Sequence, residues 1–86
     1  MTPAHNPYPD VDDAQYEAVV HGDYTKSSFS SGNGGCLSLT RVGDHIGLQD
    51  DKLPEAERKA RTHVYTREEL RAFIDGAKAG EFDHLL

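Results

Sequence analysis

The chain has 86 residues, enough for one small domain that hides roughly 60% of its unfolded surface. Its net charge of −6, from 9 basic and 15 acidic residues, disfavours a protein that lies along nucleic acid and favours a basic protein partner. The single cysteine, Cys36, excludes an internal disulfide, and no stretch approaches the roughly 20 apolar residues that span a bilayer, so we expect a cytoplasmic protein with no membrane segment.

The first part of the chain, residues 1–22, is predicted to be a flexible N-terminal segment. Prolines and acids dominate its first half, with almost nothing large and apolar to bury. The spacing of Val11, Ala14 and Ala18, with Val19 as a further candidate for the same face, is weakly helical and is consistent with a short helix before the domain. Residues 23–86 are predicted to form a single small regulatory domain.

The next segment predicts the start of a sheet. Residues 24–35 place aromatic side chains before a run of serine, glycine and asparagine, which is consistent with a strand followed by a loop. Residues 36–42 then alternate between apolar and polar side chains. Gly43-Asp44 supplies a turn, and Ile46 and Leu48 continue the alternation. Together these features predict an antiparallel hairpin.

Two shorter elements follow the hairpin. Residues 54–61 begin with Pro54 and carry acids first and bases last, an order that suits a short helix and its dipole. Its bases are best interpreted as a solvated charged face, with contact to phosphate as the alternative. Val64 and Tyr65 are then consistent with a last short strand.

A C-terminal helix over about residues 67–79 has the clearest signals in the chain. Thr66 can act as the N-cap for the Glu69 amide, and the Glu69 side chain can return to the Thr66 amide. Gly80 is placed to end the helix in the left-handed conformation, with Phe82 able to fold back on the last turn.

One apolar stripe on this helix decides the predicted fold. Leu70, Phe73 and Ile74 share one face, so we expect them to be buried against the apolar side of the hairpin, with Phe73→Ala costing about 3 to 5 kcal/mol. Gly76 is predicted to permit close approach to the sheet. The fold class is therefore α+β, a small antiparallel sheet of three or four strands with a packed C-terminal helix.

Four blocks of sequence resemble a known family when they are taken in order. They are residues 24–30 (YTKSSFS), 32–39 (GNGGCLSL), 49–52 (QDDK) and 70–83 (LRAFIDGAKAGEFD). These blocks resemble family 397 of the domains of unknown function, the small actinobacterial regulators that include BldB-like proteins of Streptomyces. The order and spacing of the blocks make the resemblance specific. The family usually has tryptophan where Tyr24 stands and commonly arginine where Gln49 stands.

The resemblance implies a function in transcription regulation. It implies a small protein that binds a helix-turn-helix transcriptional repressor and modulates its DNA binding, in development or antibiotic control, without binding DNA directly. An antitoxin-like neutraliser of a separate toxin is the alternative. The partner-binding residues that the family blocks indicate are Tyr24, Lys26, Ser27, Ser28, Phe29, Ser30, Asp50, Asp51 and Phe82. For Tyr24 and Phe29, packing in the domain's own core is the competing interpretation.

No constellation for catalysis, cofactor binding or a metal is recognisable in the sequence. The five histidines are scattered without metal-ligand spacing. Ser27, Ser28 and Ser30 do not lie in the Gly-x-Ser-x-Gly motif that positions a nucleophilic serine. The run Gly32-Asn-Gly-Gly35 lacks the lysine that follows a phosphate-binding loop. We therefore expect no enzymatic activity, no cofactor and no metal. A homodimer is also expected, because a small sheet leaves open edges.

Overall fold

The computed structural model describes residues 5–30 and 36–86. In chain order its elements are α1 (Asp13–Val20), β1 (Leu37–Val42), β2 (His45–Asp50), α2 (Glu55–Ala60), β3 (His63–Thr66), α3 (Arg67–Lys78) and a 3₁₀ turn (Asp83–Leu85). The strands form one antiparallel sheet in the order β1-β2-β3. The α+β class and the C-terminal helix expected from the sequence are confirmed.

The β1-β2 hairpin follows its sequence signals closely. Leu39 pairs with Leu48 and Val42 with His45, so the two strands are joined by a two-residue turn. Gly43 has a φ of 60° and no non-glycine residue described has a positive φ. That combination is typical of a type II′ turn, which needs glycine at its first central position.

The helix α1 packs on the polar face of the sheet and supplies most of the buried core. Tyr16, Val19 and Val20 are buried together with Val64 of β3. A Cβ placed on Gly47 of β2 would stand 2.6 Å from the Val19 side chain. Because Gly47 has no side chain, the helix can lie directly on the strand.

This packing differs from the expectation for the N-terminal region. Ala14 and Ala18, which the helical spacing placed on the inner face, are exposed, whereas Val11 is half-buried. The cause is the position of Tyr16, which is fully buried next to the Tyr8 ring, 6.3 Å away. The described part of residues 1–22 is therefore built into the domain core, and the boundary predicted at residue 22 does not separate it from the rest.

The helix α3 lies over the opposite, apolar face. Thr66 is both the last residue of β3 and the N-cap of α3, with the predicted capping box to Glu69 in place at 3.1 and 2.8 Å. With no connecting residues, the helix must start at the edge of the sheet and reaches only part of this face. Leu70 is half-buried and Ile46 beneath it is buried.

The predicted burial of the α3 stripe is wrong for two of its three residues. Phe73 is 53% exposed and Ile74 is 41% exposed. The cost expected for Phe73→Ala therefore falls from about 3 to 5 kcal/mol to roughly 1 to 2 kcal/mol, because only about half of the ring is removed from water.

The end of α3 forms as the sequence indicates, with one correction. Gly80 has a φ of 78°, and the amide of Glu81 donates to the Gly76 carbonyl at 3.0 Å, as in a Schellman motif. The close approach at Gly76 is made by the Glu81 and Phe82 side chains, since a Cβ there would stand 3.0 Å from Glu81 Oε1 and 3.1 Å from the Phe82 ring. Gly76 was expected to approach the sheet instead.

Side chains bond to some of the free backbone amides on the outer edge of β3. The amide of Val64 donates to the Tyr8 hydroxyl at 2.9 Å, and the amide of Thr66 donates to Glu69 Oε1 at 2.8 Å. On the other edge, Thr25 forms an isolated bridge with Leu39 of β1, where a longer strand was considered. The homodimer expected from open edges stays a prediction.

Candidate functional site

An open apolar groove runs between α3 and the sheet. It encloses about 380 Å³ and is the space that the exposed part of the α3 stripe leaves unfilled. We call it the α3 groove, and its lining residues are Leu37, Leu39, Ile46, Leu48, Tyr65, Glu69, Leu70 and Phe73. Contiguous exposed apolar surface of this kind marks binding sites more often than scattered apolar residues do.

Local structure holds each wall of the α3 groove in place. The floor is the hairpin, in which Leu39 pairs with Leu48 on the apolar face. The outer wall is α3, whose first turn is fixed by the capping box at Thr66. In the middle of the helix the Phe73 ring lies against the ring of Phe82, a residue beyond the end of α3, with centroids 5.2 Å apart. The groove is therefore formed by regular elements rather than by loops.

The segment that the family blocks indicate, residues 24–30, lies beside the outer edge of β1. The Thr25 amide donates to the Leu39 carbonyl at 2.8 Å, and the Leu39 amide returns to Thr25 at 2.9 Å. The segment then turns at Ser27, whose hydroxyl accepts the Phe29 amide at 3.0 Å. Phe29 is 97% exposed, so core packing does not explain this side chain. The exposed Ser28 and the half-buried Ser30 lie in the same turn.

Tyr24 has a different environment. Its hydroxyl donates to the Val19 carbonyl at 2.8 Å, close to the C-terminal end of α1. The side chain thus joins the first helix to the sheet, as the competing interpretation of this residue expected. Burial, and to a smaller extent the neighbouring Tyr16, raises the pKa of the Tyr24 phenol to about 12.

This pKa leads to a prediction about stability at high pH. An exposed tyrosine ionises near pH 10, so above about pH 10 the unfolded chain loses the Tyr24 proton while the native protein keeps it. The native state then binds more protons, and the free energy of unfolding falls as the pH rises from about 10 to about 12. Ultraviolet absorbance titration should place one phenol near pH 12, and Tyr24→Phe should remove that transition. If Tyr24→Phe instead removed a phenol that titrates near pH 10, the assignment would be contradicted.

The acidic residues of the predicted surface lie at the end of β2. Asp51 Oδ2 lies 3.8 Å from Lys26 Nζ, and Asp51 Oδ1 lies 3.2 Å from the Ser38 hydroxyl. Asp50 accepts the Lys52 amide and its ammonium group, both at 3.0 Å, and these contacts lower the pKa of the Asp50 carboxyl. Asp51 is therefore brought next to residues 24–30. Phe82 belongs to a different element, where it packs on α3.

The fold thus separates several residues of the predicted partner-binding set, and the sequence did not predict the α3 groove as a binding surface. Most residues that line the α3 groove are ones that the sequence had assigned to a closed core. The apolar alternation of the hairpin and the α3 stripe named almost all of them. The missing information was that the helix covers only one end of the sheet.

A buried polar network was also missed. Gln49 of β2 is buried and its side-chain amide donates to the Val20 carbonyl at 3.1 Å and to the Thr62 hydroxyl at 2.9 Å. Thr62 in turn donates to the Lys59 carbonyl at 2.8 Å. These bonds join α1, the sheet and the end of α2. Gln49 is thus a structural residue of this domain.

The remaining charged and ligating groups give no further site in the described ranges. Lys59 of α2 pairs with Glu55 at 2.8 Å, and Arg61, the C-cap of α2, pairs with Glu57 at 3.2 Å, in line with a solvated charged face. Within residues 5–30 and 36–86, no three His, Cys, Asp or Glu side chains are grouped as metal ligands. The glycine run at residues 32–35 lies outside the described residues, and the expectations of no metal and no catalysis stay predictions.

Comparison with known proteins gives no match. No family model matches the chain, and no curated protein or solved structure is significantly similar to it. Among the helices that the structure describes, none has the length and apolar character needed to cross a membrane.

Proposed function

We propose that this protein is a small regulatory protein that binds a helix-turn-helix transcriptional repressor and modulates the affinity of that repressor for DNA. The observation that carries the proposal is the α3 groove, an apolar surface that the domain's own side chains leave open. A small domain that leaves such a surface exposed gains stability when a partner covers it. The four-block resemblance supports the choice of a repressor as that partner.

The charge of the chain also supports a DNA-binding partner. A net charge of −6 repels the DNA backbone and attracts the basic surface of a DNA-binding protein. The protein would then act on the repressor and not on the operator. Development or antibiotic control is the setting that the resemblance implies.

The resemblance implies that such a repressor is often encoded next to the gene of the small protein, so the test uses a helix-turn-helix repressor encoded beside this protein's gene. We expect calorimetry to detect a complex, and fluorescence anisotropy to show at least a tenfold change in the repressor's affinity for a labelled operator. The protein alone should not shift the operator. Association should slow as salt rises, with a smaller effect on dissociation, because screening weakens the attraction between the two charged surfaces.

The same experiment separates the two functional hypotheses. Absence of a complex together with unchanged operator affinity would contradict the regulatory proposal. An antitoxin instead predicts a complex with a separate toxin and loss of that toxin's activity on mixing. Both readouts need only the purified proteins.

A further inference from the structure

We infer that the α3 groove binds the apolar face of one amphipathic helix of the partner, with a basic residue of that helix placed against Glu69. This inference rests on the proposed function and names the partner element and the surface that would meet. Two features support the inference. They are the chemistry of the groove lining and the hydrogen bonds that already occupy the neighbouring strand edges.

The lining favours large apolar side chains. Of the residues that line the groove, only Glu69 is charged, and the floor is made of the hairpin's leucine and isoleucine side chains. A volume of about 380 Å³ lies near the lower end of the roughly 300 to 1,000 Å³ typical of ligand pockets. It therefore suits a few side chains from one element rather than a broad, flat interface.

The strand edges favour a helix over an added strand. On β3, the amides of Val64 and Thr66 already donate to the Tyr8 and Glu69 side chains. On β1, both backbone groups of Leu39 are bonded to Thr25. A partner strand would find these positions occupied, whereas a helix satisfies its own backbone and needs only apolar contact. The occupant that matches this groove is thus a helix.

Charge complementarity identifies the polar part of that helix. Glu69 Oε1 accepts the Thr66 amide at 2.8 Å, which holds the carboxylate at the groove wall. Among the hydrogen bonds of residues 5–30 and 36–86, none engages Glu69 Oε2. A lysine or arginine beside the apolar face can bond to that oxygen, and the overall charge of −6 favours a basic helix in the encounter.

The first test uses synthetic helical peptides as probes. One peptide carries leucine at i, i+3, i+4 and i+7 with lysines beside this face, a second replaces the lysines by glutamates, and a third replaces the leucines by alanines. We expect the lysine peptide to bind at least tenfold more tightly than either of the others, as measured by fluorescence anisotropy. No binding of the lysine peptide up to millimolar concentration, or equal binding of the lysine and glutamate peptides, would overturn the inference.

Matched variants locate the binding surface. Phe73→Ala should weaken binding of the lysine peptide at least tenfold, whereas Leu85→Ala, which truncates an exposed apolar side chain outside the groove, should leave it unchanged. Phe73 is half exposed, so its variant should stay folded, which circular dichroism checks. Glu69→Gln keeps a residue that completes the capping box and should reduce the preference for lysine over glutamate. Loss of binding in Phe29→Ala, with none in Phe73→Ala, would place the binding surface at residues 24–30 and overturn the groove assignment.

The neighbouring repressor distinguishes failure of this inference from failure of the proposed function. If the repressor binds and Phe73→Ala leaves its affinity unchanged, the groove inference fails and the proposed function stands. If the lysine peptide binds and the repressor does not, the groove inference stands and the proposed function fails. Sedimentation tests a second copy of the chain as the occupant of the groove. A homodimer that Phe73→Ala dissociates, but that the lysine peptide does not dissociate, would show that a second copy occupies the groove and would overturn the inference.

Discussion

Replacing Tyr16 by alanine is expected to unfold the domain or bring it close to unfolding. The Tyr16 side chain is 1% exposed and lies among Val19, Val20 and Val64 in the core cluster. Removing a buried aromatic ring costs about 3 to 5 kcal/mol, and domains are stable by only about 5 to 15 kcal/mol in total. Urea denaturation followed by circular dichroism should show a large decrease in the transition midpoint, or no folded baseline.

Tyr65→Ala is the matched control for this experiment. Tyr65 is 40% exposed at the wall of the α3 groove, so its removal loses only part of a ring's buried surface, and roughly 1 to 2 kcal/mol is expected. Equal losses for the two variants would contradict the assignment of the core to the α1 side of the sheet. A larger loss at Tyr65 would do so more strongly.

The elements that the sequence predicted well are those whose signals are local. The turn at Gly43, the capping box at Thr66 and the left-handed end at Gly80 each need only a few neighbouring residues. All three are present. They also determine where the strands and α3 begin and end, and thus most of the topology.

The side of the sheet that forms the closed core could not be predicted in this way. Alternation assigns the apolar side chains of a strand to the core and the polar ones to solvent. In this domain the opposite face is the closed one: Ser38, Thr40 and Gln49 are buried beneath α1. Each makes a hydrogen bond, such as that from the Thr40 hydroxyl to the Asp23 carbonyl at 2.7 Å, which makes their burial tolerable.

The position of α1 explains why the pattern misled. This helix has eight residues, which are too few for a clear helical periodicity. Its buried side chains are those of Tyr16, Val19 and Val20. Small residues on the sheet, Gly47 above all, are what let it approach. Sequence patterns describe each element by itself, whereas this contact depends on the fit between two elements that are distant along the chain.

The same inversion accounts for the candidate site. Residues of the α3 groove have the pattern of a core and were predicted as one, yet their helix covers only part of the face. When a sequence predicts an apolar sheet face but too few helical residues to cover that face, it indicates an exposed apolar surface. Here α3 is the only α-helix among the described elements that follows β3, and it alone had to cover the whole apolar face.

The polar network beneath α1 yields the second large prediction: Gln49→Glu should make stability depend strongly on pH. At neutral pH the new carboxylate would be buried and would face the Val20 carbonyl, to which the amide now donates. An unpaired buried charge typically costs about 3 to 5 kcal/mol. Burial should raise the native pKa of this carboxyl above the value of about 4.3 for an exposed glutamate.

The sign of the effect follows from proton binding in the two states. Above about pH 4.3 the unfolded variant releases the proton while its native state retains it, so the native state binds more protons and stability falls as the pH rises. Below that pH both states are protonated, and the variant should come closest to the wild type because a neutral carboxyl can donate to the Val20 carbonyl. Gln15→Glu changes the chain's other glutamine, which is exposed, and should leave stability nearly unchanged at every pH. Urea denaturation of the three proteins between pH 3 and pH 8 measures this, and a Gln49→Glu curve parallel to that of Gln15→Glu would show that the amide is not needed to join α1 to the sheet.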